Sequence, residues 1–331
     1  MFSFKKLTAL ILLTLISSNL AADVRPPQVH GFVMGLFSKN PSFDYKPMID
    51  EIRNTGANAI SLHIIWMQSD TRSINIHPVE GRTVSDTTLI KTIQDAHKEG
   101  IAVMLFPIVL LEYRESDEWR GTIKPLSWSK WFLNYNRFIL HYAELAEKQN
   151  VEFLNIGSEL CSTETKKTDW TNLIKSVRLV YSGKITYTVN WDRLDKVRFW
   201  DDLDAISINA YYELSSEETP SADSLALEWK PIIKNIKDKF SRYNKKIWIT
   251  EIGYFSMDKT AMDPWNYTTK RHLNHKAQQR AYEGFVRAWS NEPILEQVYF
   301  YNWWDEGGIL DTGYTPRGKP ALKIISDWFI Q

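Results

Sequence analysis

Short apolar runs alternating with longer stretches of three- and four-residue apolar spacing are what most restricts the fold of this 331-residue chain. The runs fall at residues 29–38, 58–66, 101–110, 151–160, 185–190, 203–210, 246–254 and 297–302. Between them lie segments with helical periodicity. In 46–55, Met48, Ile49 and Ile52 share a face and Gly56 follows; in 127–149 the face is Trp131, Tyr135, Phe138, Tyr142 and Leu145. Further helical patterns cover 85–99, 169–181, 221–243, 276–290 and 320–330. Runs this short and this uniformly apolar read as strands buried on both sides, and strand–helix alternation makes them parallel. The expectation is an α/β protein forming a single (β/α)8 barrel over residues 23–331, with no linker or internal repeat. A doubly wound nucleotide-binding sheet would carry G-x-G-x-x-G after its first strand, and that motif is absent.

The first residues, MFSFKKLTALILLTLISSNLAAD, place two lysines before an apolar run and end in small residues. This is the layout of a secretory signal peptide, so residues 1–22 are set apart from the fold and a secreted or periplasmic location is expected. An uncleaved anchor is the alternative. Forty basic residues balance forty acidic ones, which gives no electrostatic footprint for nucleic acid or an anionic membrane surface. Fourteen tryptophans stand beside fifteen tyrosines and fifteen phenylalanines, an aromatic supply suited to the flat faces of sugars as well as to a core.

Two of the runs end in an acid. VEFLNIGSEL delivers Glu159 and KIWITEIGY delivers Glu251, each at the C-terminal end of its strand. In a parallel barrel every strand points that end at one face, where active sites lie, so the fold would bring together two carboxyls that are far apart in the chain. A pair of carboxyls is what hydrolysis of an acetal needs: one protonates the leaving oxygen and the other faces the electron-poor carbon. The same face is expected to collect Trp66, Asn190, Trp191, Tyr211, Tyr212, Trp303 and Trp304, aromatic platforms and an amide for a neutral, hydroxyl-rich ligand. The connection 111–126 is long for a barrel loop and charge-rich; its Trp119-Arg120-Gly121 makes Arg120 a further substrate-binding candidate.

The patterns IGSEL, ITYTVNW, INAYY, WITEIGY and YTPRGKPA resemble glycoside hydrolase family 113, a member of clan A of retaining (β/α)8 glycosidases, from the first strand to about Ala321. The resemblance implies an endo-β-1,4-mannanase-like enzyme that needs no cofactor. It makes Glu159 the acid/base, Glu251 the nucleophile, Tyr211 a hydrogen-bond donor to the nucleophile and Trp303 the floor of the reacting sugar's subsite. Two positions depart from the pattern: Ser158 stands where many clan members have Asn, and Phe106 stands where a basic residue is expected before Pro107. The two carboxyls should titrate apart, with Glu251 the lower.

Other motifs carry less. His272 and His275 have a spacing that could hold a metal, but no cysteine or acidic cluster is near them in sequence, and no metal is expected. Cys161, the sole cysteine, reads as a buried thiol rather than a nucleophile. Neither G-x-S-x-G nor a phosphate-binding loop occurs. Alternatives left open are the same chemistry on another β-glycan or an exopolysaccharide, transglycosylation, or a non-catalytic carbohydrate-binding barrel.

Overall fold

The computed structural model describes residues 27–268 and 270–331; the leader read in residues 1–22 lies outside the described residues. The strands are β1 (Val29–Gly35), β2 (Ala59–Gln68), β3 (Ile76–His77), β4 (Ala102–Leu111), β5 (Phe153–Ser158), β6 (Lys184–Asn190), β7 (Ile206–Asn209), β8 (Ile247–Ile252) and β9 (Leu295–Tyr301). All but β3 pair in parallel in the order β1-β9-β8-β7-β6-β5-β4-β2, and β1 pairs with β2 to close the barrel. The expected (β/α)8 barrel is what the chain forms. The two-residue β3, absent from the sequence reading, folds back antiparallel on β2 at Met67 and Gln68.

The helices are α1 (Lys46–Asn54), α2 (Asp86–Lys98), α3 (Trp128–Lys148), α4 (Lys167–Arg178), α5 (Ala222–Phe240), α6 (His275–Trp289) and α7 (Pro320–Phe329). Their starts follow local chemistry. The Ser85, Ser127, Ser221 and Asn274 side chains each accept a bond from a backbone N–H in the first turn, and α7 begins on a proline whose missing donor costs nothing there. Among the described residues the β6–β7 crossover carries only a 3-10 turn, Trp200–Asp202, in place of a helix.

Alternation along the strands separates two apolar layers. Outward residues such as Phe32, Ile60, Leu105 and Phe300 join the helices in one large core. Inward residues, among them Val33, Met104, Phe106, Trp248 and Tyr299, fill the barrel. Close approach is built in with glycine just before the acid of β5. A Cβ on Gly157 would lie 2.8 Å from the Trp170 ring and 2.9 Å from the Tyr135 hydroxyl, both fully buried. Gly157→Ala should therefore lower stability by about 1–3 kcal/mol, the usual cost of overpacking. It should also cut activity by displacing the next two residues. Thermal unfolding beside turnover checks this; an unchanged melting temperature would show that α4 gives way freely.

Candidate active site

Both glutamates stand at the C-terminal end of the barrel, on β8 and immediately after β5, and both are buried. Glu159 has a left-handed backbone, φ 56°. A non-glycine residue there costs energy and persists only where its surroundings fix it. Its N–H donates to the Thr188 carbonyl at 3.0 Å. Asn209 Nδ2 donates to its Oε1 at 2.8 Å, and Arg120 donates to its Oε2 at 2.5 Å. The following loop is pinned as well: Tyr187 takes the Leu160 N–H at 3.0 Å, and buried Glu164 pairs with Arg193 at 2.9 Å. Burial pushes the Glu164 carboxyl up to about 7, with Arg193 opposing. Cys161 lies in this loop, half-buried, its thiol pushed up to about 12 by burial and thus held un-ionised.

Tyr211 donates to Glu251 Oε2 at 3.0 Å, the partnership the resemblance implied. The ring of Tyr301 lies 6.2 Å from that of Tyr211, and Tyr314 lies 5.5 Å from Tyr301, so three tyrosines stand around the carboxyl. His63, from β2, stacks on Phe106 at 4.2 Å. Its Nε2 sits 4.0 Å from Glu251 Oε1 and has no hydrogen-bond partner. Burial drives the imidazole well below its ordinary pKa, and the charge on Arg120 adds to the effect. It is a neutral ring.

The aromatic candidates divide. Trp66 points outward against Phe138 and Tyr142 of α3, its indole N–H donating to the Tyr142 hydroxyl at 2.9 Å. It lines a cavity of about 590 Å³ with Tyr45, His141 and Tyr142, and neither glutamate lines that cavity. Trp303 also turns outward, donating to Glu51 of α1 at 3.1 Å under the Arg317 guanidinium, so the expected sugar floor is not this ring. Trp304 takes the inner position, 4.9 Å from Tyr301 and 5.2 Å from Phe37. Tyr212 faces the helix layer against Trp229, with half-buried Trp191 5.4 Å away. Both pairs lie just beyond a strand end, after β7 and after β9, and in each the chain turns one ring to the helix layer and the other to the barrel mouth. Asn190 ends β6 on the inner face, in register with Asn209.

Arg120 reaches the centre, but its guanidinium is engaged by Glu159 and the Ser158 carbonyl rather than free for a sugar. Burial opposes its charge; Glu159 and Glu251 outweigh that and raise its pKa. Sequence reasoning passed over His63, Asn209, Tyr301 and Tyr314. Asn209 and Tyr301 carried a signal, since each ends a strand facing inward; His63 carried one too, as the lone imidazole in an otherwise apolar run.

Glu251 does not titrate low, as the sequence led one to expect. Burial, then the neighbouring Glu159 charge, push it up to about 8, against the opposing pull of Arg120 and Tyr211. A carboxyl whose pKa is raised on folding binds its proton more tightly in the folded state. Its contribution to stability is full below the ordinary carboxylate range and lost as pH climbs towards about 8. Glu251→Gln has no charge to bury. Its melting temperature should therefore rise relative to wild type as pH increases through that window, and a difference that stays constant with pH would contradict the assignment.

The chain matches the glycoside hydrolase family 113 over residues 35–312. Among solved structures it is similar to a GH113 β-mannanase from Alicyclobacillus acidocaldarius in complex with ManMIm, at 25% identity and a TM-score of 0.82, covering 93% of this chain and 98% of that one. A GH113 β-1,4-mannanase matches at 23% identity with a TM-score of 0.83, over 92% of this chain and all of the other, a likeness of fold. A β-glucuronidase from Ruminococcus gnavus shares the fold at 12% identity and a TM-score of 0.64, over 92% of this chain and half of its own. No match was found among curated protein sequences. The chain belongs to glycoside hydrolase family 113.

Proposed function

We propose that this glycosidase is a retaining, endo-β-1,4-mannanase-like enzyme acting on a β-linked, mannose-containing polysaccharide, exported by its leader. The observation that carries the mechanism is the differing treatment of the two buried carboxyls. Tyr211 donates to Glu251 Oε2 while the nearest imidazole nitrogen, His63 Nε2, stays 4.0 Å from Oε1, whereas both oxygens of Glu159 accept from Arg120 and Asn209.

The proton that burial favours on Glu251 first has to pass to Glu159, as Arg120 releases that carboxyl. In the first step ionised Glu251 then attacks the anomeric carbon while the bond from that carbon to the leaving oxygen breaks. The proton on Glu159 passes to that oxygen. In the second, Glu159 takes a proton from water, the water oxygen bonds to the anomeric carbon, and the bond to Glu251 breaks. The leaving oxygen must approach Glu159, so Arg120 has to yield Oε2 as substrate enters. Ionised Glu251 then becomes the nearest alternative carboxylate for that cation. Mannan as substrate is supported by the β-mannanase at 25% identity.

Incubation with defined β-1,4-manno- and gluco-oligosaccharides, with product analysis, tests this reading. Internal cleavage of the manno series is expected, with kcat falling by at least about 10³-fold in Glu251→Ala. Glu159→Gln should lose far more on natural oligosaccharides than on aryl glycosides with good leaving groups, which need no proton. Equal losses on both would remove Glu159 from the acid role, and cleavage confined to the gluco series would replace mannan.

A further inference from the structure

We infer that His63 is the residue that reads the C2 hydroxyl of the reacting sugar, donating to it from Nε2 while that hydroxyl donates to Glu251 Oε1. The inference rests on Glu251 as nucleophile and adds a specificity determinant to that reading.

The observation is an orphan. His63 is 2% exposed, and its Nε2 has no hydrogen-bond partner although it points towards a carboxylate oxygen 4.0 Å away. Leaving a buried donor unmade costs about 1–3 kcal/mol, and this one differs from the other partnerless buried atoms among the described residues in facing the Glu251 carboxylate. The gap is too long for a direct hydrogen bond and too short for an atom lying on the line between the two. A hydroxyl set to one side, about 2.8 Å from each, closes the triangle with an angle near 90° at its oxygen, so one group can accept from the imidazole and donate to the carboxylate.

Chemistry identifies the hydroxyl. Once one oxygen of Glu251 approaches the anomeric carbon, the other lies over that carbon's immediate neighbours. One neighbour is the ring oxygen, which has no proton to give. The other is C2. Bonds to the C2 hydroxyl strengthen in the transition state of glycoside hydrolysis, so a donor placed there contributes to rate and not only to affinity.

The surroundings leave His63 free for the task. Ser158 Oγ, the side chain just before Glu159, lies 3.4 Å from Asn209 Nδ2, an amide already committed to Glu159. Phe106 beneath His63 fixes the ring plane by stacking and offers no polar group. Because the ring is neutral, it does not compete with Arg120 for the carboxylates. An axial hydroxyl at C2 and an equatorial one leave that carbon in different directions, so a fixed donor distinguishes manno from gluco sugars.

The test uses three aryl β-biosides that differ only at C2 of the sugar bearing the aryl group: manno, gluco and 2-deoxy. The first two are epimers that converge on the third when the hydroxyl is removed, which makes the 2-deoxy compound an internal reference. His63→Phe keeps a flat ring on Phe106 and deletes the donor. It should lower kcat/KM on the preferred epimer by about 10²-fold, the scale for one lost transition-state donor. It should leave the 2-deoxy compound within about threefold and collapse the manno-to-gluco ratio. His63→Gln restores an N–H and should recover at least about tenfold of the loss, a rescue that a packing role would not show. Equal losses on all three compounds, or an unchanged epimer ratio in both variants, would overturn the assignment while leaving the glycosidase reading intact. If wild type cleaved none of the three, the Glu251 reading and this inference would fall together.

Discussion

Two buried carboxyls and one half-buried guanidinium stand together at one end of the barrel, and the surrounding structure answers to that charge balance. Taking an ion out of water costs several kcal/mol even after relaxation, so two acids so close cannot both remain ionised without a cation. Arg120 is that cation, and it comes from a loop rather than from a strand. The loop is moored accordingly: Lys124 N donates to the Thr71 carbonyl at 2.7 Å, Leu126 N to that of Arg72 at 3.0 Å, and Ser162 N to that of Gly121 at 3.1 Å. Thr71 adds a bond to Glu118 at 2.7 Å. A long connection that would otherwise be free is thereby held against both the β2 loop and the residues after Glu159. Burial first, and the Glu159 charge second, push the Glu251 carboxyl up to about 8 against the pull of that cation.

Beneath the acids the barrel interior changes from apolar to polar. Thr250 donates to the Asn209 oxygen at 3.2 Å, which leaves the Asn209 amide to face Glu159, and Thr188 donates to Thr250 at 2.9 Å while its hydroxyl lies 3.2 Å from the Asn155 oxygen. A buried polar group is costly when unmet, as Asn155 Nδ2 is here; the two threonines and Asn209 orient one another. The chain of bonds fixes which way the Asn209 amide faces, and with it one oxygen of the acid. Rigid strands thus position Glu159 from below while Arg120 holds it from the side.

The barrel was legible because each strand is short, apolar and followed by a helix with its own start and stop signals. Glu159 and Glu251 were legible because each interrupts an apolar run where the strand ends. What the linear sequence blurred was direction. Tyr211-Tyr212 and Trp303-Trp304 look like double platforms, yet beyond the ends of β7 and β9 the chain sends Tyr212 and Trp303 into the helix layer, and on β2 the pleat sends Trp66 there too. Arg120 was visible as a charged loop residue, but its ion pair with Glu159 depends on a fold-back that no local pattern encodes. His63 sits inside an apolar strand, where its meaning depends on a neighbour from β8. The low titration expected of Glu251 failed for a related reason: counting donors around a carboxylate omits the desolvation that burial imposes.

The central claim is that Glu251 forms a covalent bond to the sugar. A 2-deoxy-2-fluoro-β-mannosyl compound with a good leaving group slows both steps, while the leaving group restores only the first, so the glycosyl-enzyme should accumulate. Mass spectrometry of the intact protein should show one added sugar. Digestion should place it on the peptide spanning residues 248–254, and Glu251→Ala should show none. Because a gluco-specific enzyme would respond only to the epimeric reagent, both reagents are used. Label on any other residue, or no label from either reagent in an enzyme that hydrolyses the matching substrate, would contradict the account.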